Sequence, residues 1–436
     1  MGVTEREQLA NAGQRPAPPS SAASTQTSTP TSTPVTPPTP TATPTPTAAE
    51  LLGRTRALLP MIRAMAPLTH ERGQVPDEII AAFKEAGLFR IVQPRRYGGY
   101  EMHPNVLFDA QMLVGTACVS TAWVYGLLAV HNFQLALFDD RAQAEVWSRD
   151  PDTLVSSTYQ PVGKVVRTEG GFRLSGRWRF SSGARHGDWI FLGGFMPPAT
   201  PDGERVIASF LLPRADYRII DGTWDVVGMR GTGSLDIEVD DAFVPEYRTH
   251  SLVEGFEIVN QRGLAVNTSP LYRLPWGQLF ARIVATAQVG GLQGALDAYL
   301  DLARTRISTA NFQAMTADPH AAAAAAHVKS EIAEIRSTLH RTFDDALASV
   351  EATGEIPMED RLRYRYEAAR IARRCAAAVD ELMAVMGSAA IYATSPVYPY
   401  WRDIMASRAH FANNPDNLAV SVGGSYLGVP SNELFC

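Results

Sequence analysis

The chain has 436 residues and a formal net charge of −6, with 45% hydrophobic and 19% charged residues. That length exceeds one average domain and predicts two or three packed units. The acidic balance excludes nucleic acid or an anionic membrane as the main partner, since neither would be attracted overall.

Met1–Ala10 is polar and charged, unlike a secretory leader, and Arg6 stands where a myristoylation motif needs Ser or Thr. Residues 1–48 form a first segment, most of it Pro, Thr, Ser and Ala (TSTPTSTPVTPPTPTATPTPTA). It has almost no side chain to bury and is expected to be an extended, disordered tail. Residues 49–150 read as an α-helical domain. Leu51, Leu52, Leu58, Leu59, Ile62 and Met65 recur at helical intervals, Pro76-Asp77-Glu78 opens a second helix, and Val106–Val119 and Thr121–Phe138 read as long buried helices.

From 151 to 254 the period changes to two, and short runs punctuated by Gly, Pro and Asp predict a β-barrel or sandwich. Within it, Gly170–Trp189 reads as two strands joined at Ser175-Gly176. Phe172, Leu174, Trp178 and Phe180 alternate with arginines, and the same parity carries Ser182 to the apolar side. Residues 255–436 return to helix. Gln278–Arg304 is rich in Ala and Gly, which suits close helix packing, and Ala321–Val350 and Asp360–Met386 follow, giving a helical bundle.

No run is apolar enough to cross a bilayer. Cys118, Cys375 and Cys436 are few, widely spaced and odd in number, matching neither a disulfide framework nor a metal pattern. A soluble cytoplasmic protein is expected. The histidines show no metal spacing, so no metal site is assigned. No Gly-x-Gly-x-x-Gly follows a strand, so no dinucleotide fingerprint is assigned either.

Five stretches in order carry a resemblance. They are QPRRYGG (93–99), the Gly170–Trp189 strands, VVGMRGTGSLDIEVDDAFVP (226–245), ARIVATAQVGGLQGALDAYLDLAR (281–304) and VYPYWRDIMASRAH (397–410). Together they resemble the acyl-CoA dehydrogenase superfamily from Leu51 onward. The fold this implies is α+β and multidomain: an N-terminal α-helical domain, a central β-barrel and a C-terminal four-helix bundle assembled as a homotetramer.

Dehydrogenases of that superfamily place a catalytic Glu soon after the Arg-Asp pair, to remove the α-proton of a thioester. Here Arg402-Asp403 leads to Ser407-Arg408-Ala409-His410-Phe411, with no carboxylate until Asp416. LLAVHNFQLALF (127–138), LVSSTYQPVGKV (154–165) and Arg408-Ala409-His410 are instead similar to the oxygenase components of two-component flavin-dependent monooxygenases, the group of the 4-hydroxyphenylacetate 3-hydroxylases.

That resemblance implies reduced FMN or FAD (FMNH2 or FADH2) delivered by a separate NAD(P)H:flavin reductase. O2 is the co-substrate, and a C4a-hydroperoxyflavin hydroxylates a small aromatic or phenolic compound. A dry cavity and a few hydrogen bonds serve that chemistry better than strong acids, and a neutral His suits a phenolic proton near pH 7. His131 is assigned as base or phenol-binding group and His410 as the group beside the oxygen, two roles that are interchangeable at this stage. Ser182, with Ser181, Ser157, Trp123 and Arg230, is assigned to the flavin, Ser157 also to catalysis, and Arg273 and Tyr272 to a lid over the substrate. The alternatives are oxygenation at nitrogen or sulfur on the same fold, an acyl-CoA dehydrogenase with a displaced base, and a catalytically silent flavin-binding scaffold.

Overall fold

The computed structural model describes residues 45–198, 205–257, 261–307, 312–431 and 433. The predicted tail up to residue 44 and Cys436 lie outside the described residues, while Cys118 and Cys375 are buried free thiols.

The first helix, α1 (Ala48–Arg72), starts where Thr47 supplies a cap. Its Oγ1 accepts the Glu50 amide at 3.2 Å, and the Glu50 carboxylate accepts the Thr47 amide at 2.6 Å. Then come α2 (Asp77–Glu85), α3 (Pro104–Gly115), α4 (Val119–Leu135) and α5 (Asp140–Trp147). Every residue of α4 is buried, because the helix lies between α3 on one side and the sheet and later helices on the others.

The sheet contains β1 (Val155–Thr168), β2 (Gly171–Ser181), β3 (Trp189–Met196), β4 (Val206–Pro213), β5 (Arg218–Ile220), β6 (Leu235–Pro245) and β7 (Thr249–Ser251). Its order is β5-β6-β2-β1-β3-β4-β7, with only β1 and β3 parallel. The expected closed barrel is corrected to an open sheet among the described residues. Its end strands, β5 and β7, are three residues long, and each bonds a single neighbour, which leaves no edge long enough to close the ring.

A second correction concerns the turn expected at Ser175-Gly176. Gly171–Ser181 is one strand, and the hairpin turn falls at Glu169-Gly170. Gly176 instead makes room for a ring: a Cβ there would lie 3.1 Å from the Trp178 indole. Parity also changes along β2. From Trp178 to Ser181 it advances three residues while β6 advances two, from Ile237 to Leu235. This β-bulge buries Ser181 and turns Phe180 outward, so period-two counting fails beyond Trp178.

Among the described residues the α-helices that follow are α6 (Leu252–Glu257), α7 (Trp276–Thr305), α8 (Pro319–Thr353), α9 (Met358–Met386), α10 (Tyr398–Ser407) and α11 (Pro415–Tyr426). The small residues of α7 bring it against α3. A Cβ on Gly290 would meet the Met112 carbonyl at 2.3 Å, and one on Gly115 would meet Gly290 Cα at 2.9 Å. The main apolar core therefore joins chain segments from Leu51 to Ala412, and a second core lies between α7, α8 and α9. No helix among the described residues is long and apolar enough to cross a membrane.

Candidate active site

A cavity of about 520 Å³ opens where α4, β1, the end of β2, the turn before β6 and the segment after α10 meet. Its walls are mostly apolar: Trp123 and Leu127 from α4, Phe180, Trp224 and Phe280. A volume of this size, with few convergent polar groups, suits a small organic ligand. No carboxylate lines it among the described residues.

Its polar side is a row of hydroxyls. Ser182 Oγ and Ser234 Oγ lie 2.8 Å apart, Ser234 Oγ and Thr232 Oγ1 2.7 Å apart, and Thr232 Oγ1 donates to the Met229 carbonyl at 2.8 Å. Trp123 Nε1 donates to Ser182 Oγ at 3.2 Å, tying the row to α4. The turn carrying Thr232 is held from behind. Asp403 of α10, 5% exposed, accepts the Met229 amide at 3.0 Å, Arg402 Nε at 2.9 Å and Ser120 Oγ at 3.0 Å. Met229 has φ 57, a strained value for a residue with a Cβ, and Gly228 packs so closely on Arg402 that a Cβ would lie 2.5 Å from its carbonyl oxygen.

His410 faces this row across the cavity, its ring 5.5 Å from Trp123 and 5.9 Å from Phe280. Nδ1 accepts the Ala412 amide at 3.2 Å, so the neutral ring carries its proton on Nε2. Burial, helped by the Arg365 charge, pushes its pKa down to about 4. Asn413 steadies the preceding turn by donating to the Ser407 carbonyl at 2.9 Å.

Of the other residues assigned from sequence, Ser157 lines the cavity, and Ser156 faces the opposite side, fully buried. His131 is 1% exposed and does not line the cavity. Its Nδ1 donates to the Val155 carbonyl at 2.6 Å, and burial lowers its pKa to about 4. Ser181 is buried away from the cavity, with no hydrogen-bond partner for its Oγ. Arg230 points to the surface and pairs with Asp225 at 3.5 Å. Tyr272 is a core residue, donating to the Val92 carbonyl at 3.2 Å, and Arg273 is exposed; neither forms a lid on the cavity. Sequence reading missed Tyr159, Phe280, Trp224, Thr232 and Ser234. Tyr159 was within reach, two residues from Ser157 and so on the same strand face.

The family described as acyl-CoA dehydrogenase, C-terminal domain, matches residues 282–415. The chain is 38% identical over 383 residues to the flavin-dependent monooxygenase oxygenase subunit HsaA of Rhodococcus jostii (strain RHA1), covering 87% of this chain and 99% of that one. The chain belongs to the flavin-dependent monooxygenase oxygenase components of the acyl-CoA dehydrogenase fold. This oxygenase is also 33% identical to the FADH(2)-dependent resorcinol hydroxylase, oxygenase component, of Rhizobium sp. (strain MTP-10005), over 87% of this chain and 94% of that one. The crystal structure of 3-HSA hydroxylase from Rhodococcus sp. RHA1 superposes with a TM-score of 0.84 at 37% identity, covering 89% of this chain and 99% of that one.

The residues present fit a reduced flavin. Chained hydroxyls offer donors and acceptors to the polar edge of a flat ring, and the oxygenase's aromatic walls offer it faces. Among the described residues of the oxygenase, no group of three or more His, Cys, Asp or Glu is placed to hold a metal ion.

Two buried imidazoles, His131 and His250, and the half-buried His410 are expected to make the fold of the oxygenase acid-sensitive. His131, His250 and His410 are each lowered to about 4 from the ordinary 6.5, chiefly by burial. Unfolded, they take up protons near pH 6.5; folded, only near 4. Acid therefore favours the unfolded chain, and the stability they contribute is complete above pH 6.5 and is lost progressively as pH falls towards 4. Urea midpoints at about pH 7.5, 6 and 5 are expected to fall in that order. A midpoint unchanged at the lowest pH would show that these rings are not buried neutral.

Proposed function

We propose that this oxygenase hydroxylates a small phenolic compound with O2 and reduced flavin received from a separate NAD(P)H-dependent reductase. The observation that carries the reading is the neutral His410 imidazole, its Nδ1 engaged by Ala412, standing with the Ser182–Ser234–Thr232 hydroxyls on one carboxylate-free apolar cavity. The named relatives that act on resorcinol and p-hydroxyphenylacetate support a phenol as substrate class.

Reduced flavin, when bound, would supply two electrons to O2, so that one oxygen atom enters the ring and the other leaves as water. The chain's own tasks are narrower. Ser182, Ser234 and Thr232 hold the polar edge of the flavin, and Trp123 fixes Ser182 in place. His410 presents an Nε2–H to the oxygen side, and the aromatic walls exclude water. Ser157, on the cavity, and His131, behind its wall, are the groups proposed for the phenol hydroxyl. A tetrameric assembly in the cytoplasm and a three-part division at about residues 150 and 254 complete the proposal, and the helix–sheet–helix order of the chain supports the division.

Mixing the reduced-flavin complex with O2 over a panel of phenols tests the reading. At least one phenol is expected to give a catechol-type product at the expense of H2O2. A panel that yields only H2O2, while an aromatic amine or thioether is oxygenated, would replace carbon hydroxylation by heteroatom oxygenation.

A further inference from the structure

On α4, Trp123, Leu127 and His131 follow one another at intervals of four, which puts them on one helix face. The first two line the cavity and the third does not. What stands over the third is Tyr159: its ring is 6.3 Å from the His131 ring, 6.1 Å from Trp276 and 5.4 Å from Phe280, and it forms that end of the cavity wall. The Tyr159 hydroxyl donates to Gln134 Oε1 at 2.5 Å. Gln134 is in turn fixed by its amide, which donates to Ser209 Oγ at 3.2 Å.

Behind that ring the imidazole is incomplete. Nδ1 must donate, because its partner is the Val155 carbonyl, so Nε2 carries a lone pair. Nε2 is fully buried and has no hydrogen-bond partner. A buried acceptor without a donor is unfavourable, and a phenolic O–H is a donor of the right kind.

We propose that Tyr159 is a specificity-determining gate, a ring held by Gln134 that closes the cavity short of His131 and swings aside for a phenol whose hydroxyl then donates to Nε2. The inference rests on the phenol-hydroxylating reading above, and it adds that the depth of the site is set by one side chain. Substrates that displace Tyr159 reach His131; apolar rings of the same size lack the hydrogen bond that makes displacement favourable.

Calorimetric titration of the flavin-free full chain with phenol, and with toluene as its hydroxyl-free counterpart, tests this. Tyr159→Ala is expected to bind phenol about tenfold more tightly than wild type, about 1.4 kcal/mol, with a smaller gain for toluene. Adding His131→Ala is expected to erase the preference for phenol. Tyr159→Phe keeps the ring but loses the bond to Gln134, and is expected to gain less for phenol than Tyr159→Ala. Equal gains for phenol and toluene in Tyr159→Ala would mean that only space was created and would overturn the gate. So would a gain in Tyr159→Phe as large as in Tyr159→Ala. If the expected binding pattern holds and no phenol is hydroxylated by the wild type, the gate stands and the assigned reaction falls.

Discussion

Replacing His410 by alanine is expected to make the oxygenase release H2O2 in place of product, with product formed per flavin oxidised falling by roughly tenfold or more. The reasoning begins with the tautomer. Because the Ala412 amide occupies Nδ1, the single ring proton sits on Nε2, and a pKa of about 4 keeps the ring neutral throughout the physiological range. The ring is wedged between Trp123, Phe280 and Phe411, so the N–H is aimed by packing and needs no rearrangement to act. Alanine removes this donor and opens space for water beside the apolar walls, and both changes favour peroxide loss over oxygen transfer. Flavin oxidation itself is expected to continue, since the hydroxyl row is untouched. Product and H2O2 measured together after a single turnover decide the matter. A product-to-peroxide ratio like that of wild type would remove His410 from the chemistry.

Asp403→Ala is expected to cost about 3–5 kcal/mol of stability, the range for breaking a buried ion pair from one side. Three donors converge on this carboxylate, from Met229, Arg402 and Ser120, and each belongs to a different part of the chain. Without it the buried Met229 amide loses its partner and the partly buried Arg402 guanidinium loses its ion pair, although Arg402 keeps its contact to His70 at 3.2 Å. The left-handed Met229 loses the bond that holds it there, and with it the turn that presents Thr232 and Ser234. Asp403→Asn keeps the shape and one acceptor, so a smaller loss is expected. Urea unfolding at constant slope gives the comparison. A loss below about 1 kcal/mol for the alanine variant would mean the clamp is not structural.

That His410, Ser182 and Ser157 share one cavity was legible because they lie in the short motifs that carry the family likeness, and Trp123 stands one helical turn before such a motif. Helix boundaries were legible for the same local reason: caps, Gly stops and 3.6-residue periodicity are written in neighbouring residues. The sheet was harder. Closure depends on pairing between strands far apart in the chain, and nothing near β5 or β7 announces that they are too short to meet. The bulge beyond Trp178 was invisible because an extra residue on β2 is defined only against β6. Arg230, Arg273 and Tyr272 were assigned from their place in a loop, and a loop position does not tell which way a side chain points. Tyr272 found its partner in the Val92 carbonyl and the core, far from any lid. His131 was recognised as special by its helix, yet its cover, Tyr159, comes from a strand that composition alone does not bring near it.

The groups that meet at the hydroxyl row are drawn from positions 123, 182, 234 and 410, a span of 410 − 123 = 287 residues. No fragment ending before Arg402 holds both sides of the site, so ligand capture reports completion of the whole fold and not of any local piece. A library screened for capture of reduced flavin would thereby select for correct long-range assembly, and truncations from the carboxyl end are expected to lose capture before they score as unfolded.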